Sequence, residues 1–542
     1  MKKIITFFYQ YTDVPGGSIL FLFLTSGISY ALILAVVNRA AAFVATGHAI
    51  LEFRLFLMFV MLSVIHLYAK RTSLIRSIQF CEEIIENIRL GIIGKIRYSE
   101  LRFLEQTGTG IIYARLTEDT RSLTRTVPFI SMAMVNVTSL ISVFFYLATQ
   151  SIQGFLFIAG LFGFSLMIYK SVYGPARAKI LEARKKEIIF FERLNDVLFG
   201  FKEIRINYQK NEDLFADVHA ITSESEQLKI DAQVNLNNCF IIVNTTYYLM
   251  IAGIIFILPV YNLVENSAVV SLVSSLLFIW GPLLVAFKTI PLYMMTSVSV
   301  DNLLELNNTI DSFNFHVPDP PEKIRQDFEK ISIKSVNFSY KDKDGSPLFD
   351  VGPIDFTLKK GEIVFVIGGN GSGKSTFMKL LTGLYYPDAG GELMINGKQV
   401  TNKTYQSYRE YFTTIYTDFH LFEKPYSLQN VDPAKINKLL KIMEIDHKTS
   451  FRDQKFTNID LSTGQKKRLA CIICLLEDKP IYVLDEWAAD QDPEFKKYFY
   501  ETFLDNMRAR NKTVVAVSHD DRYFHTADRI VKMEMGKIVS LS

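Results

Sequence analysis

The sequence predicts two joined folds, an α-helical domain of six membrane spans and an α/β domain built around a phosphate loop. Three observations predict them. The 542 residues are 49% hydrophobic and still 21% charged, with a mean hydropathy of +0.17, which fits a half in lipid and a half in water. Six apolar segments, each near the roughly 20 residues needed to cross a bilayer, precede Val300. Beyond them stands "GGNGSGKST", Gly368 to Thr376, between an apolar β-branched run and a helix start.

The spans run approximately Ile19–Val37, Leu51–Ala69, Val127–Ala148, Ile152–Tyr169, Phe240–Tyr261 and Ala268–Phe287. Lys70 to Arg125 carries ten Lys or Arg and Lys170 to Lys229 carries eleven, whereas the other connections offer mainly Arg39 and Arg54. That asymmetry places both long loops and both termini in the cytoplasm. The loops keep helical periodicity, so the helices are expected to continue past the bilayer. Gly281-Pro282 is a predicted kink, since proline lacks the helix N–H, and Lys288 closes the sixth span by snorkelling to the interface. "MKKIITFFYQYTD" has too brief an apolar run and lacks the cleavage pattern of a signal peptide.

Asn136, Asn244, Thr245 and Thr246 sit deep in their spans. Such groups line a cavity or bond a neighbouring helix, and both readings stay open; Asn136, Asn244 and Thr245 are the candidate substrate contacts. A net charge of +3 gives no reason to expect nucleic acid. Cys471 and Cys474 form a C-x-x-C inside an apolar helical run and read as core residues.

"HVPDPPEK", His316 to Lys323, breaks the helical pattern. The boundary is set near Asp319, giving a membrane domain of 1–318 and an α/β domain of 319–542. In the latter, Gly368, Asn370, Gly371, Ser372, Gly373, Lys374, Ser375 and Thr376 form a phosphate cradle. Backbone N–H groups wrap the anion, Lys374 meets the terminal charge and the Ser375 hydroxyl can ligate Mg2+. "PIYVLDEW" ends a buried strand in Asp485, which can hold Mg2+, and Glu486, a candidate base. "TVVAVSHDD" ends another strand at His519, able to contact the terminal phosphate, and "VNFSY" offers Tyr340 for stacking on adenine. A second helix-start anion site is "LSTGQKKRLA", Leu461 to Ala470, with Ser462 and Gly464.

In this order the motifs resemble an ATP-binding cassette (ABC), and with six spans ahead of it the chain resembles a type IV ABC exporter half-transporter. The resemblance implies an α-helical six-span transmembrane domain plus an α/β P-loop NTPase, an ATPase coupled to transport, and ATP and Mg2+ as cofactors. It implies a multi-pass protein of the bacterial cytoplasmic membrane. It also explains the two anion sites. In that family the signature of one cassette faces the P-loop of another, so Ser462 and Gly464 would cap ATP held by a second copy, and a homodimer is expected.

"ARLTEDT" (Ala114–Thr120), "GFKEIRI" (Gly200–Ile206) and "DEWAADQD" (Asp485–Asp492) are similar to the cyclic-peptide exporter group, which includes pyoverdine-precursor, syringomycin-type lipopeptide and lasso-microcin exporters. A peptide-like substrate is the expectation; a lipid or multidrug flippase of the same architecture is the alternative. One departure stands out. "TTIYTDFHLF" has Thr417, followed by Asp418, where the family carries a Mg2+-contacting Gln. Thr is shorter, so Asp418 or a water is expected to supply the missing contact. The Thr417–Leu461 segment implies a trimmed helical subdomain. By analogy the loop tips, near Leu101–Thr109 and Asn211–Ala220, dock on the cassette beside Thr417. A leader-trimming peptidase domain is not expected, since no Cys precedes Cys81, and a soluble tandem-cassette ATPase fails on the spans.

Overall fold

The computed structural model describes residues 17–45, 53–313, 322–324, 327–342, 346–388, 390–428 and 431–541. The expected boundary at 318/319 lies outside them. The chain divides into two compact units. One holds the described residues up to Gly91 and Tyr113–Leu306; the other holds Ile92–Ile112 and the described residues from Asn307 onward.

The first unit is built on long helices. α1 spans Gly17–Ala45, α2 Phe53–Ile96, α3 Thr120–Gln150, α4 Ile152–Phe199, α5 Tyr208–Ala252 and α6 Asn266–Ser312. Six helices among the described residues are long and apolar enough to cross a membrane. α4 and α5 have 48 and 45 residues, more than twice what a bilayer requires, and their surplus is charged. Lys179–Asp231 at 2.6 Å and Lys186–Glu224 at 2.7 Å join these extensions. Exposed pairs of this kind contribute little energy, so they fix register more than stability. α1 and α3 pack closely. A Cβ on Gly27 would lie 2.6 Å from the Thr138 backbone, and the Thr138 hydroxyl donates to Phe23 O at 2.9 Å. Small residues are what permit this approach. α6 runs on through Pro282 and Pro291.

The second loop turns earlier than expected. Gly200 closes α4, Phe201–Ile206 forms one short helix, and Asn207 caps α5 by accepting from Lys210 N at 3.0 Å. The tip is therefore at 200–207, and Asn211–Ala220 lies within helix α5. Caps settle this, and Gly and Asn at those positions were the available signal.

Among the described residues the second unit carries twelve strands: β1 Lys330–Lys341, β2 Pro347–Lys359, β3 Ile363–Ile367, β4 Glu392–Ile395, β5 Lys398–Gln399, β6 Phe412–Ile415, β7 Phe451–Arg452, β8 Lys455–Phe456, β9 Ile481–Leu484, β10 Thr513–Val517, β11 Arg529–Glu534 and β12 Lys537–Leu541. β2-β1-β4-β5 form an antiparallel sheet and β12-β11-β3-β10-β9-β6 a mostly parallel one. The runs at β3, β9 and β10 are almost continuously buried, as strands covered on both faces must be. Helix α7, Lys374–Leu381, follows β3, and helix α8, Thr463–Glu477, precedes β9. Between Thr417 and Leu461 the described elements are one helix, Pro433–Ile442, and the β7–β8 hairpin. All four cysteines are buried and free.

Phe365, at the centre of β3, is fully buried with its ring edge on Tyr500 at 5.7 Å. Phe365→Ala is expected to destabilise the cassette by about 3–5 kcal/mol. Denaturant titration followed through Trp487 emission checks this; an unchanged midpoint would show that the cassette does not fold around this strand.

Candidate active site

Strand register assembles the site. Val517 pairs with Val366, Ala516 with Leu484, and Leu484 with Ile415. Because these four strands are parallel, the residues that follow them emerge at one edge. That edge collects the 368–376 loop, Asp485 and Glu486, His519, and Thr417. Ligands bind beyond the carboxyl ends of strands in such sheets.

The loop needs its glycines. Gly368 has φ 150°, and a Cβ there would sit 2.3 Å from Met533 O. Gly373 has φ 97° and forms the N-cap of α7. The buried Lys374 donates from Nζ to Gly368 O and Gly369 O, both at 2.9 Å. Asn370 and Gly371 are exposed at the tip. The first turn of α7, with Ser375 and Thr376, presents N–H groups that no helix can pair internally. The Ser372 hydroxyl is buried without a hydrogen-bond partner among the described residues.

Asp485 is 2% exposed, and burial, reinforced by the neighbouring Glu486, raises its pKa. Hydroxyls of Ser375 and Thr417 and the charge of Lys374 act against this by favouring the carboxylate. Its Oδ1 remains buried without a hydrogen-bond partner among the described residues. A buried carboxylate with a spare oxygen beside two hydroxyls fits Mg2+, a hard cation that takes oxygen ligands. The Thr417 hydroxyl is among the groups that favour the Asp485 carboxylate, and Thr417 and Asp418 are both exposed. Glu486 adopts φ 50°, unusual for a residue with a Cβ, and its Oε1 lies 3.2 Å from His519 Nε2.

The signature segment and the acids after Glu486 are joined by buried cations, a feature the sequence reading missed. Lys467, 2% exposed at its side chain, donates to Glu486 O at 2.6 Å and pairs with Asp490 at 2.7 Å. Arg468 holds Gln491 at 2.8 Å and Asp492. Gln491 returns to Gly464 O at 3.1 Å, and a Cβ on Gly464 would meet Asp490 O at 2.6 Å. Gln465 accepts from Ser462 N at 3.3 Å, closing the start of α8. Two basic residues opening an apolar helix, and a matching run of acids 22 to 25 positions on, were the signal available. Ser462 and Gly464 make no hydrogen bond to the 368–376 loop among the described residues.

Tyr340 stands half-buried at the end of β1, its hydroxyl 3.1 Å from Thr376 Oγ1 and 3.2 Å from Tyr385 OH. The first-loop helix Leu101–Thr107, ended by Gly108 at φ 79°, lies within this unit. It docks on Phe338, Lys379, Tyr385 and Asp388, beside Thr382, whose hydroxyl bonds Tyr416 OH at 2.7 Å just ahead of Thr417. In the other unit, the Asn136 amide donates to Met132 O of its own helix at 2.7 Å and Thr246 to Ile242 O at 2.9 Å. Asn244 is half-buried and Thr245 exposed.

A six-helix membrane unit and a parallel sheet whose edge gathers a phosphate loop, paired acids and a histidine define a membrane-coupled nucleotide hydrolase. Residues 351–489 match the family model described as ABC transporter. The chain is 29% identical over 543 residues to ATP-binding protein SyrD of Pseudomonas syringae pv. syringae, covering 95% of this chain and 92% of that protein. It is 22% identical over 485 residues to an ATP-dependent lipid A-core flippase of Methylobacillus flagellatus, covering 84% and 78%. A bacterial Atm1-family ABC exporter with ATP bound has the same fold, with a TM-score of 0.77 at 18% identity over 97% of this chain and 94% of that one. The chain is an ABC exporter half-transporter, a multi-pass membrane protein whose ABC domain binds ATP and couples its hydrolysis to transport.

Lys467→Met leaves Glu486 without the bond that holds its backbone. The expected result is a kcat for ATP lower by about 10- to 100-fold, as for hydrogen bonds from charged groups, with little change in KM. A raised KM at normal kcat would show that Lys467 serves binding instead.

Proposed function

We propose that two copies of this chain form a homodimeric exporter of a cyclic or otherwise modified peptide across the bacterial cytoplasmic membrane. The positive loops put the cassettes in the cytoplasm. The observation that carries the peptide reading is the end-to-end match to SyrD, together with the wording of "ARLTEDT", "GFKEIRI" and "DEWAADQD". Several lipid A-core flippases match over only 39% of this chain. The Methylobacillus flagellatus flippase aligns over most of it, which keeps lipid as the second reading.

In the proposed mechanism, Gly368 to Thr376 holds the phosphates of ATP and Tyr340 stacks on its adenine. Ser375 and Asp485, with Thr417, would hold Mg2+, which when bound neutralises phosphate charge. Glu486 takes the proton of the attacking water, and His519 orients that carboxylate from 3.2 Å. Ser462 and Gly464 cap ATP on the second copy. Binding energy closes the cassettes and shifts the spans outward; hydrolysis resets them. Asn136 and Thr246 spend hydrogen-bonding capacity on their own helices, which leaves Asn244 and Thr245 as the better candidates for contact with cargo.

ATPase of the purified full-length protein in lipid discs, with Glu486→Gln as the inactive reference, tests the substrate class. Stimulation by cyclic or lariat peptides is expected; stimulation by lipids or hydrophobic cations alone would replace the peptide reading. Thr417→Val is expected to raise the Mg2+ concentration for half-maximal activity about 10-fold. A larger effect of Asp418→Ala would move the metal contact to Asp418.

A further inference from the structure

We propose that Glu105 and Tyr385 are positioning residues for Tyr340, so that the first cytoplasmic loop is coupled to the adenine base of ATP and not to its phosphates alone. The inference rests on the reading that Tyr340 stacks on adenine.

Glu105 projects from the short helix Leu101–Thr107, which buries Phe103 against Phe313 at 6.1 Å. Its Oε2 accepts from Tyr385 OH at 2.6 Å, and its Oε1 accepts from Lys379 Nζ at 2.9 Å. Tyr385 OH in turn accepts from Tyr340 OH at 3.2 Å. Arg102, three residues before Glu105 and so on the same helix face, grips the other side of this group. Its guanidinium lies 3.9 Å from the centroid of Phe338, and it pairs with Asp388 at 3.3 Å. Phe338 stacks on Tyr385 with centroids 4.3 Å apart and planes 10° apart. Asp388 also accepts from the backbone N–H of Ser339, the residue before Tyr340. One helix therefore holds the strand end that carries Tyr340 and the tyrosine bonded to its hydroxyl.

Donor and acceptor counting gives the chain a direction. A carboxylate only accepts, and a phenol has one proton to give. Glu105 takes that of Tyr385, so the Tyr385 oxygen can offer Tyr340 only a lone pair. Tyr385 is 1% exposed, and burial followed by the bond to Glu105 keeps its proton firmly attached. The bonds then run from Tyr340 to Tyr385 to Glu105 and tether the Tyr340 hydroxyl, which also lies 3.1 Å from Thr376 Oγ1. Lys379 adds a second tie, because it lies on α7, whose first turn holds Lys374 and Ser375. Nothing in the sequence pattern marks Glu105 or Tyr385, since neither stands in a nucleotide motif.

The test uses the full-length protein in lipid discs on a Glu486→Gln background, with affinities measured for ATP and for inorganic tripolyphosphate. Tyr385→Phe and Glu105→Gln preserve shape and are expected to weaken ATP about 3- to 10-fold while leaving tripolyphosphate unchanged. Tyr340→Ala gauges the underlying reading. If it weakens both ligands equally or neither, adenine stacking fails and the proposal falls with it. If it weakens ATP alone while Tyr385→Phe and Glu105→Gln bind both ligands normally, stacking stands and the positioning role is overturned; equal weakening of both ligands by those two variants overturns it as well. Hydrogen exchange of 101–107 supplies a readout without substitution at the contact. ATP is expected to slow it and tripolyphosphate to leave it unchanged, whereas equal slowing by both would refute the coupling.

Discussion

The backbone ladder of β6, β9, β10 and β3 is the constraint on which the rest of the cassette depends. Its hydrogen bonds are individually worth about 1 kcal/mol, but their register is all-or-none. A slip of one residue would turn every buried Val and Ile of these strands to the opposite face. The same register delivers Gly368, Asp485, Glu486, His519 and Thr417 to one edge. Chemistry is thus positioned by packing, and the motifs need only follow their strands at short distance.

Around that edge the protein uses buried charge in two ways. Asp485 keeps a buried oxygen without a partner among the described residues, a desolvation cost that a cation would remove. Lys467 and Arg468 are fully satisfied instead, and they lock the start of α8 to the segment from Glu486 to Asp492. The Ser462–Gly464 turn is thereby tied to the segment that carries Glu486.

The loop helix Leu101–Thr107 follows a similar logic with weaker forces. Its ion pairs with Lys379 and Asp388 are partly exposed, and such pairs contribute little alone. The stack of Arg102, Phe338 and Tyr385 adds apolar burial and aromatic contact to them. Docking of this kind can couple two sites without freezing either.

The six apolar segments, the positive loops and the phosphate loop were legible in the sequence because each obeys a local rule: span length, charge asymmetry, and glycines at fixed spacing. Those rules gave the fold class, and the motif order gave the family. The second loop tip was placed some ten residues late because helical periodicity runs unbroken past it, while the caps at Gly200 and Asn207 depend on single residues. Thr417 could be recognised as a departure, but only the pairing of β6 with β9 brings its hydroxyl near the Asp485 carboxylate. Glu105 and Tyr385 carried no signal in the sequence, and Lys467 and Arg468 only the faint one of spaced acids, because the partner of each lies from about 20 to 280 residues away. What the sequence by itself determined is which segments enter lipid and which hold phosphate. Tertiary structure alone decided which side chains tie those parts together, since distant polar contacts carry no period along the chain.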